Sequence, residues 1–147
     1  MKKYFVTILT VLLVISLIIV VNINNNNKAE KEKQSYNNEF EFYNKEDVLG
    51  TDITTIINKA INQNIKHDVK KDENGFYINN NINSIAINVS FESITDNPKI
   101  YKMEELEQKG LEDFNKLFGS SYYKCTQVTY HESTGLIESM TFKAVIK

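Results

Sequence analysis

Residues 5 to 21 read FVTILTVLLVISLIIVV, seventeen positions with no charge, glycine or proline. No other stretch constrains the chain as strongly. Once such a run leaves water, its backbone amides can be satisfied only inside a helix. Thr7, Thr10 and Ser16 fit that helix by bonding back to its own carbonyls. With Tyr4 before it and Ile23 after it, the run approaches the roughly 20 residues that cross a hydrocarbon core of about 30 Å. Tyr4 falls where an interfacial aromatic belongs.

Lys2 and Lys3 ahead of an apolar run also begin a cleavable export signal. A peptidase site needs small residues, and between Asn22 and Ala29 only Ala29 is small. The run is also longer than the roughly 7–15 residues of a signal core. Residues 1–21 are therefore expected to form a cytoplasmic tip and a retained transmembrane anchor. Lys28, Lys31 and Lys33 on the far side are interleaved with Glu30 and Glu32, whereas Lys2, Lys3 and the terminal amine crowd the near side. The positive-inside rule then places the N-terminus in the cytoplasm and the remainder outside the cell membrane.

Residues 22–39, NINNNNKAEKEKQSYNNE, cannot repay their ordering entropy by burial and read as a flexible polar tether. Residues 40–147 then offer one domain with one core. All seventeen basic residues of the chain are lysine, so bidentate arginine recognition of carboxylate or phosphate is excluded. Beyond the anchor, fifteen lysines face nineteen acids, which argues against a nucleic-acid partner. The single Cys125 cannot form an internal disulfide.

Asn44 is a good N-cap with Asp47 at its N3 position. Ile53, Ile56, Ile57, Ala60, Ile61 and Ile65 recur on one helical face, with Gly50 as a weak point in the run. Asp72 to Gly75 signals a turn before a short strand at 76–78. Ile85, Ile87, Val89 and Phe91 alternate with polar residues, as in a strand covered on one side. Thr95 to Pro98 is a loop. A second helix is expected from Met103 to Phe118, with Leu106, Leu111, Phe114, Leu117 and Phe118 on its apolar side and Gly119 as its stop. Strands at 122–130 and 136–146 flank a hairpin loop. The expected fold class is α+β: a transmembrane helix, then two helices packed on a three- to four-stranded antiparallel sheet.

Candidate chemistry is sparse. Cys125 is the one candidate reactive thiol. His131 lies six residues away, about 20 Å along an extended chain, too far to act as its base. A half-buried packing thiol is the simpler reading. His67 and His131 are isolated, no metal-ligand spacing occurs, and Glu104-Glu105 and Glu112-Asp113 read as a solvated helix face. No catalytic residue, cofactor, metal or small-molecule substrate is expected. Tyrosine has an apolar body and a polar tip, and is enriched at protein interfaces. Tyr122 and Tyr130, at one strand parity, are the candidate interaction surface.

The segments Leu49 to Ala60, Tyr101 to Leu106, and Lys124-Cys125-Thr126 with Tyr130-His131 are similar to stretches of small, single-pass, membrane-anchored proteins of low-GC Gram-positive bacteria, a group with no established activity. That resemblance implies a location, not a mechanism. Three readings of function stand: a non-enzymatic binding or scaffolding domain with a protein partner in the cell envelope, a pilin-like or pseudopilin-like assembly subunit, and a thiol-dependent envelope enzyme using Cys125. A pilin-like subunit needs a glycine before its apolar helix and a glutamate at its fifth position, and neither is present.

Overall fold

The computed structural model describes residues 2–91 and 99–145, with side chains from residue 14 onward. Two compact units are present, Met1–Tyr36 and Asn37–Lys147. Helix α1 (Lys2–Glu41) makes up the first unit and supplies residues 37–41 to the second. Val14, Ile15, Leu17 to Val21 and Ile23 are all exposed on it. Among the described residues no helix is long and apolar enough to cross a membrane. The side chains of 5–13, about half of the expected anchor, lie outside that description.

Residues 22–39, expected as coil, are helical. Ala29, Gln34 and the Lys/Glu alternation lose little side-chain freedom in a helix, and Lys28 and Glu32 stand 3.9 Å apart at the i, i+4 spacing.

In the second unit Phe40 and Tyr43 are buried. The expected cap at Asn44 does not form. Residues 42–47 make turns, strand β1 (Val48–Leu49) follows, and helix α2 (Gly50–Lys66) begins there. Gly50 is needed for close approach. Its N–H donates to Ser121 O at 2.9 Å, and a Cβ on it would lie 1.9 Å from the Phe118 carbonyl oxygen. Asp52 accepts the Leu49 N–H at 3.4 Å. Ile53, Ile56, Ile57, Ala60 and Ile61 are buried at the expected spacing. The buried stripe then ends on Asn64, while Ile65 is 60% exposed.

Asn64 explains that departure. Its Nδ2 donates to Ile85 O at 2.8 Å and its Oδ1 accepts Ile85 N–H at 2.9 Å. One buried carboxamide thus satisfies both backbone groups of the residue that leads into strand β2 (Ala86–Ser90). Ahead of it, Asn79 and Asn80 side-chain oxygens accept the backbone N–H groups of residues 81–84 and hold the turn. The strand expected at 76–78 is reduced to a single bridge between Lys71 and Tyr77. Those residues have no neighbouring strand to extend it.

Strands β3 (Ile100–Lys102), β4 (Tyr122–Tyr130) and β5 (Ile137–Val145) complete a five-stranded sheet of order β1-β4-β5-β2-β3. The all-antiparallel sheet of three or four strands is corrected here. The sheet is mixed, because β2 runs parallel to β5 while the other pairs are antiparallel. The register aligns one apolar face. Val48 pairs with Tyr123 and Tyr123 with Ala144; Cys125 pairs with Phe142, Phe142 with Val89, and Val89 with Tyr101; Met140 pairs with Ile87. Asn88, Thr141 and Lys143 alternate onto the other face, which is only partly buried.

The second expected helix is two helices, α3 (Met103–Lys109) and α4 (Leu111–Phe118). Gly110 at φ 96° ends the first, its N–H donating to Glu107 O, and its carbonyl accepts Phe114 N–H to start the next. Only glycine adopts that backbone without strain. The break re-aims the apolar stripe, so Phe114 is buried while Leu117 is 74% exposed. The expected loop at 95–98 lies outside the described residues.

Two substitutions test these contacts by chemical denaturation of the full chain. Gly50→Ala forces α2 away from the end of α4 and is expected to cost about 2–3 kcal/mol. Asn64→Ala strands two backbone groups of Ile85 in the core and is expected to cost about 3 kcal/mol. An unchanged midpoint for Asn64→Ala would show that water satisfies Ile85 instead.

Candidate functional site

The break at Gly110 opens a groove. Gly110 lies among the residues lining a cavity of about 420 Å³ bounded by α3, α4 and β3. Phe91, Tyr101, Leu106, Phe114, Leu117 and Phe118 form its apolar walls, and Lys99, Lys109 and Asp113 reach its rim. The aromatic wall is packed, not loose. Phe91 stacks at 5.0 Å from Phe118 and 5.6 Å from Tyr101, and Phe114 lies 5.6 Å from Phe118 (ring centroids). A volume of this order lies within the range of small-ligand sites.

Charge at the rim is unevenly paired. Lys99 bonds Glu105 at 3.0 Å, and Lys116 bonds Asp113 at 3.1 Å. Hydrogen bonds from the Lys102 backbone and from Lys99 hold the Glu105 carboxyl below the usual carboxylate range. Lys109 has no carboxylate within 4.0 Å among the described residues; its ammonium rests 4.4 Å from the Tyr101 ring centroid, with that of Lys99 4.5 Å from the same centroid. The sequence does not show this site, because it places Leu106, Phe114, Leu117 and Phe118 on one continuous helix face and Phe91 on a separate strand. The visible signal was Gly110 in the middle of that helix, beside Lys109.

Cys125 is free, buried and on the covered face of the sheet, beside Phe142. Its Sγ–H donates to Gln127 O at 3.6 Å, and burial pushes the thiol up from its ordinary value of 9.0. A thiol so placed is a poor nucleophile at neutral pH. His131 is buried elsewhere. Its Nε2 lies 2.7 Å from Ser84 O, which can only accept, so the ring proton sits on Nε2. Its Nδ1 has no hydrogen bond and faces Glu138 Oε1 at 4.0 Å. His67 caps the C-terminal end of α2. Among the described residues no three His, Cys, Asp or Glu side chains gather as a metal site.

Tyr122 and Tyr130 stand at opposite ends of β4, about 26 Å apart along an extended strand. Tyr122 is half-buried and paired to both Leu49 and Val145. Tyr130 is 45% exposed and its hydroxyl donates to Glu41 Oε1 at 3.1 Å. Burial first, then the Glu41 carboxylate, pushes that phenol up. The two tyrosines do not share a patch. Tyr123 is fully buried, and its hydroxyl has no hydrogen-bond partner among the described residues. Burial raises its phenol far above its ordinary 10.0.

No family model, curated protein or solved structure matches the chain.

Two outcomes follow from the buried thiol and phenol. Cys125 is expected to react slowly with iodoacetamide in the folded chain and rapidly once unfolded. In alkali the unfolded state releases these protons first, Cys125 near pH 9 and Tyr123 near pH 10, whereas the folded state retains them. Stability from these two groups is therefore fully present below pH 9 and is lost progressively as the pH rises above it. Tyr123→Phe removes an unpaired buried hydroxyl and is expected to stabilise the fold by about 1 kcal/mol at pH 7, with a shallower alkaline fall. Melting temperatures against pH for both chains decide it.

Proposed function

We propose that the chain is a membrane-held, non-enzymatic binding protein of the cell envelope, with residues 5–21 as its anchor and residues 37–147 as an extracytoplasmic binding unit. The observation that carries this reading is the apolar groove between α3, α4 and β3, open to solvent and walled by aromatic rings. An open recess of that composition gains free energy when an apolar group displaces its water. The anchor is supported by a helix that leaves eight large apolar side chains between Val14 and Ile23 exposed. A helix apolar on every side asks for lipid or protein around it. Against a thiol-enzyme role stand the burial of Cys125 and the direction of its titration.

Two measurements test the reading. The chain is expected to stay in the membrane pellet through alkaline carbonate extraction, with residues 37–147 cleaved by protease added outside the cell. Release by carbonate would remove the anchor. A photoreactive benzoylphenylalanine at position 117, on the groove, is expected to yield an adduct of defined mass in living cells. The same group at position 126, on an exposed strand position, is expected to yield none. Equal labelling at both positions would remove the groove as the binding surface.

A further inference from the structure

We infer that the groove takes a single-chain anionic amphiphile, its hydrocarbon tail between Phe91, Phe114, Leu117 and Phe118 and its anionic head beside Lys109. This rests on the binding role proposed above and names the chemical class of the occupant.

The tail follows from shape and lining. The cavity of about 420 Å³ is walled by four aromatic rings and two leucines, with no hydrogen-bonding side chain among its walls except the Tyr101 hydroxyl. Such a surface rewards hydrocarbon and gives a polar ligand nothing to pair with. A two-chain phospholipid is too large for a space of this volume.

The head follows from the charges. Of five charged groups about the mouth among the described residues, Lys99 with Glu105 and Lys116 with Asp113 form neutral pairs. Among the described residues Lys109 has no carboxylate within 4.0 Å and feels Glu105 only at longer range, and its ammonium shares the Tyr101 ring with that of Lys99. Two cations on one ring repel each other, and a single anion between or beside them relieves that repulsion. A monovalent head such as a carboxylate matches the surplus; a cationic or neutral head does not.

A flat protein partner fits less well. A specific interface covers about 800 Å² on each side. Spread over this mouth, it would take the Lys99–Glu105 and Lys116–Asp113 pairs out of water, where desolvation can exceed the Coulomb gain. A tail entering end-on leaves those pairs solvated.

The test uses the full chain in zwitterionic phosphatidylcholine nanodiscs. Three photoprobes carry a diazirine on the same twelve-carbon tail and differ in the head: carboxylate, alcohol or trimethylammonium. A fourth is a diazirine-tailed phosphatidylglycerol built into the disc. Adducts are mapped by mass spectrometry. The carboxylate probe is expected to label the groove, residues 101 to 118, at least fivefold more than the ammonium probe. Lys109→Glu, an exposed position that leaves the core untouched, is expected to cut the carboxylate labelling at least fivefold and leave the alcohol labelling unchanged. Leu117→Asp is expected to reduce both.

Equal groove labelling by carboxylate and ammonium, or carboxylate labelling indifferent to Lys109→Glu, overturns the anionic class while the binding role stands on the alcohol adducts. Labelling by the phosphatidylglycerol as strong as by the acid overturns the single-chain assignment. A protein adduct from position 117 in cells, together with no groove labelling by any free probe, overturns the amphiphile in favour of a protein partner. No groove labelling from any probe and no adduct from position 117 overturns the binding role as well.

Discussion

The carboxamide of Asn64 holds the second unit in register. It reaches from the last turn of α2 into the core and closes two hydrogen bonds with the backbone of Ile85. That places the first residue of the apolar alternation, and a strand slipped by one residue would turn Ile87 and Val89 out to water. β2 is the strand on which both halves of the sheet depend, since it pairs with β5 on one side and β3 on the other. A buried amide is therefore better placed here than an aliphatic side chain. Its partner is a backbone segment that has two groups to satisfy at the point where regular pairing has not yet begun.

From β2 the consequences run to the groove. Val89 lies opposite Tyr101, and Phe91, just beyond the strand, meets Tyr101 and Phe114 edge to face and Phe118 at a tilt. One wall of the recess thus belongs to the sheet, and the opposite wall is set by the turn at Gly110. Phe91 bridges the two walls through its ring contacts with Phe114 and Phe118. The spacing of those walls also depends on the sheet register and on the backbone conformation of Gly110.

Much of this was legible in the residues, and the failures have physical causes. The isoleucine stripe of α2, the alternation around Val89 and the hairpin of β4 and β5 are long enough for a period to show. β1 and β3 have two and three residues, too few to carry one, and they exist because neighbours supply their hydrogen bonds. Parallel pairing of β2 with β5 joins segments about fifty residues apart, which local pattern cannot reveal. Gly50 reads as a weakness of a helix, and Gly110 falls inside the helix expected at 103–118. One permits two chain segments to approach and the other divides a helix. The groove was hidden by its own composition, because phenylalanines and leucines read as core whether or not anything covers them.

β5 has a further consequence, for the order of events during synthesis. It is the last strand of the sheet in chain order and yet it lies at the centre, with β4 on one side and β2 on the other. Until residues 137–145 have left the ribosome, β2 and β4 have no common neighbour, and the apolar faces of Ile87, Val89 and Tyr123 have no strand between them. Before then, only the separate pairs β2–β3 and β1–β4 can form. Nascent chains must keep those faces from other surfaces until β5 emerges, when a strand only nine residues long completes the sheet.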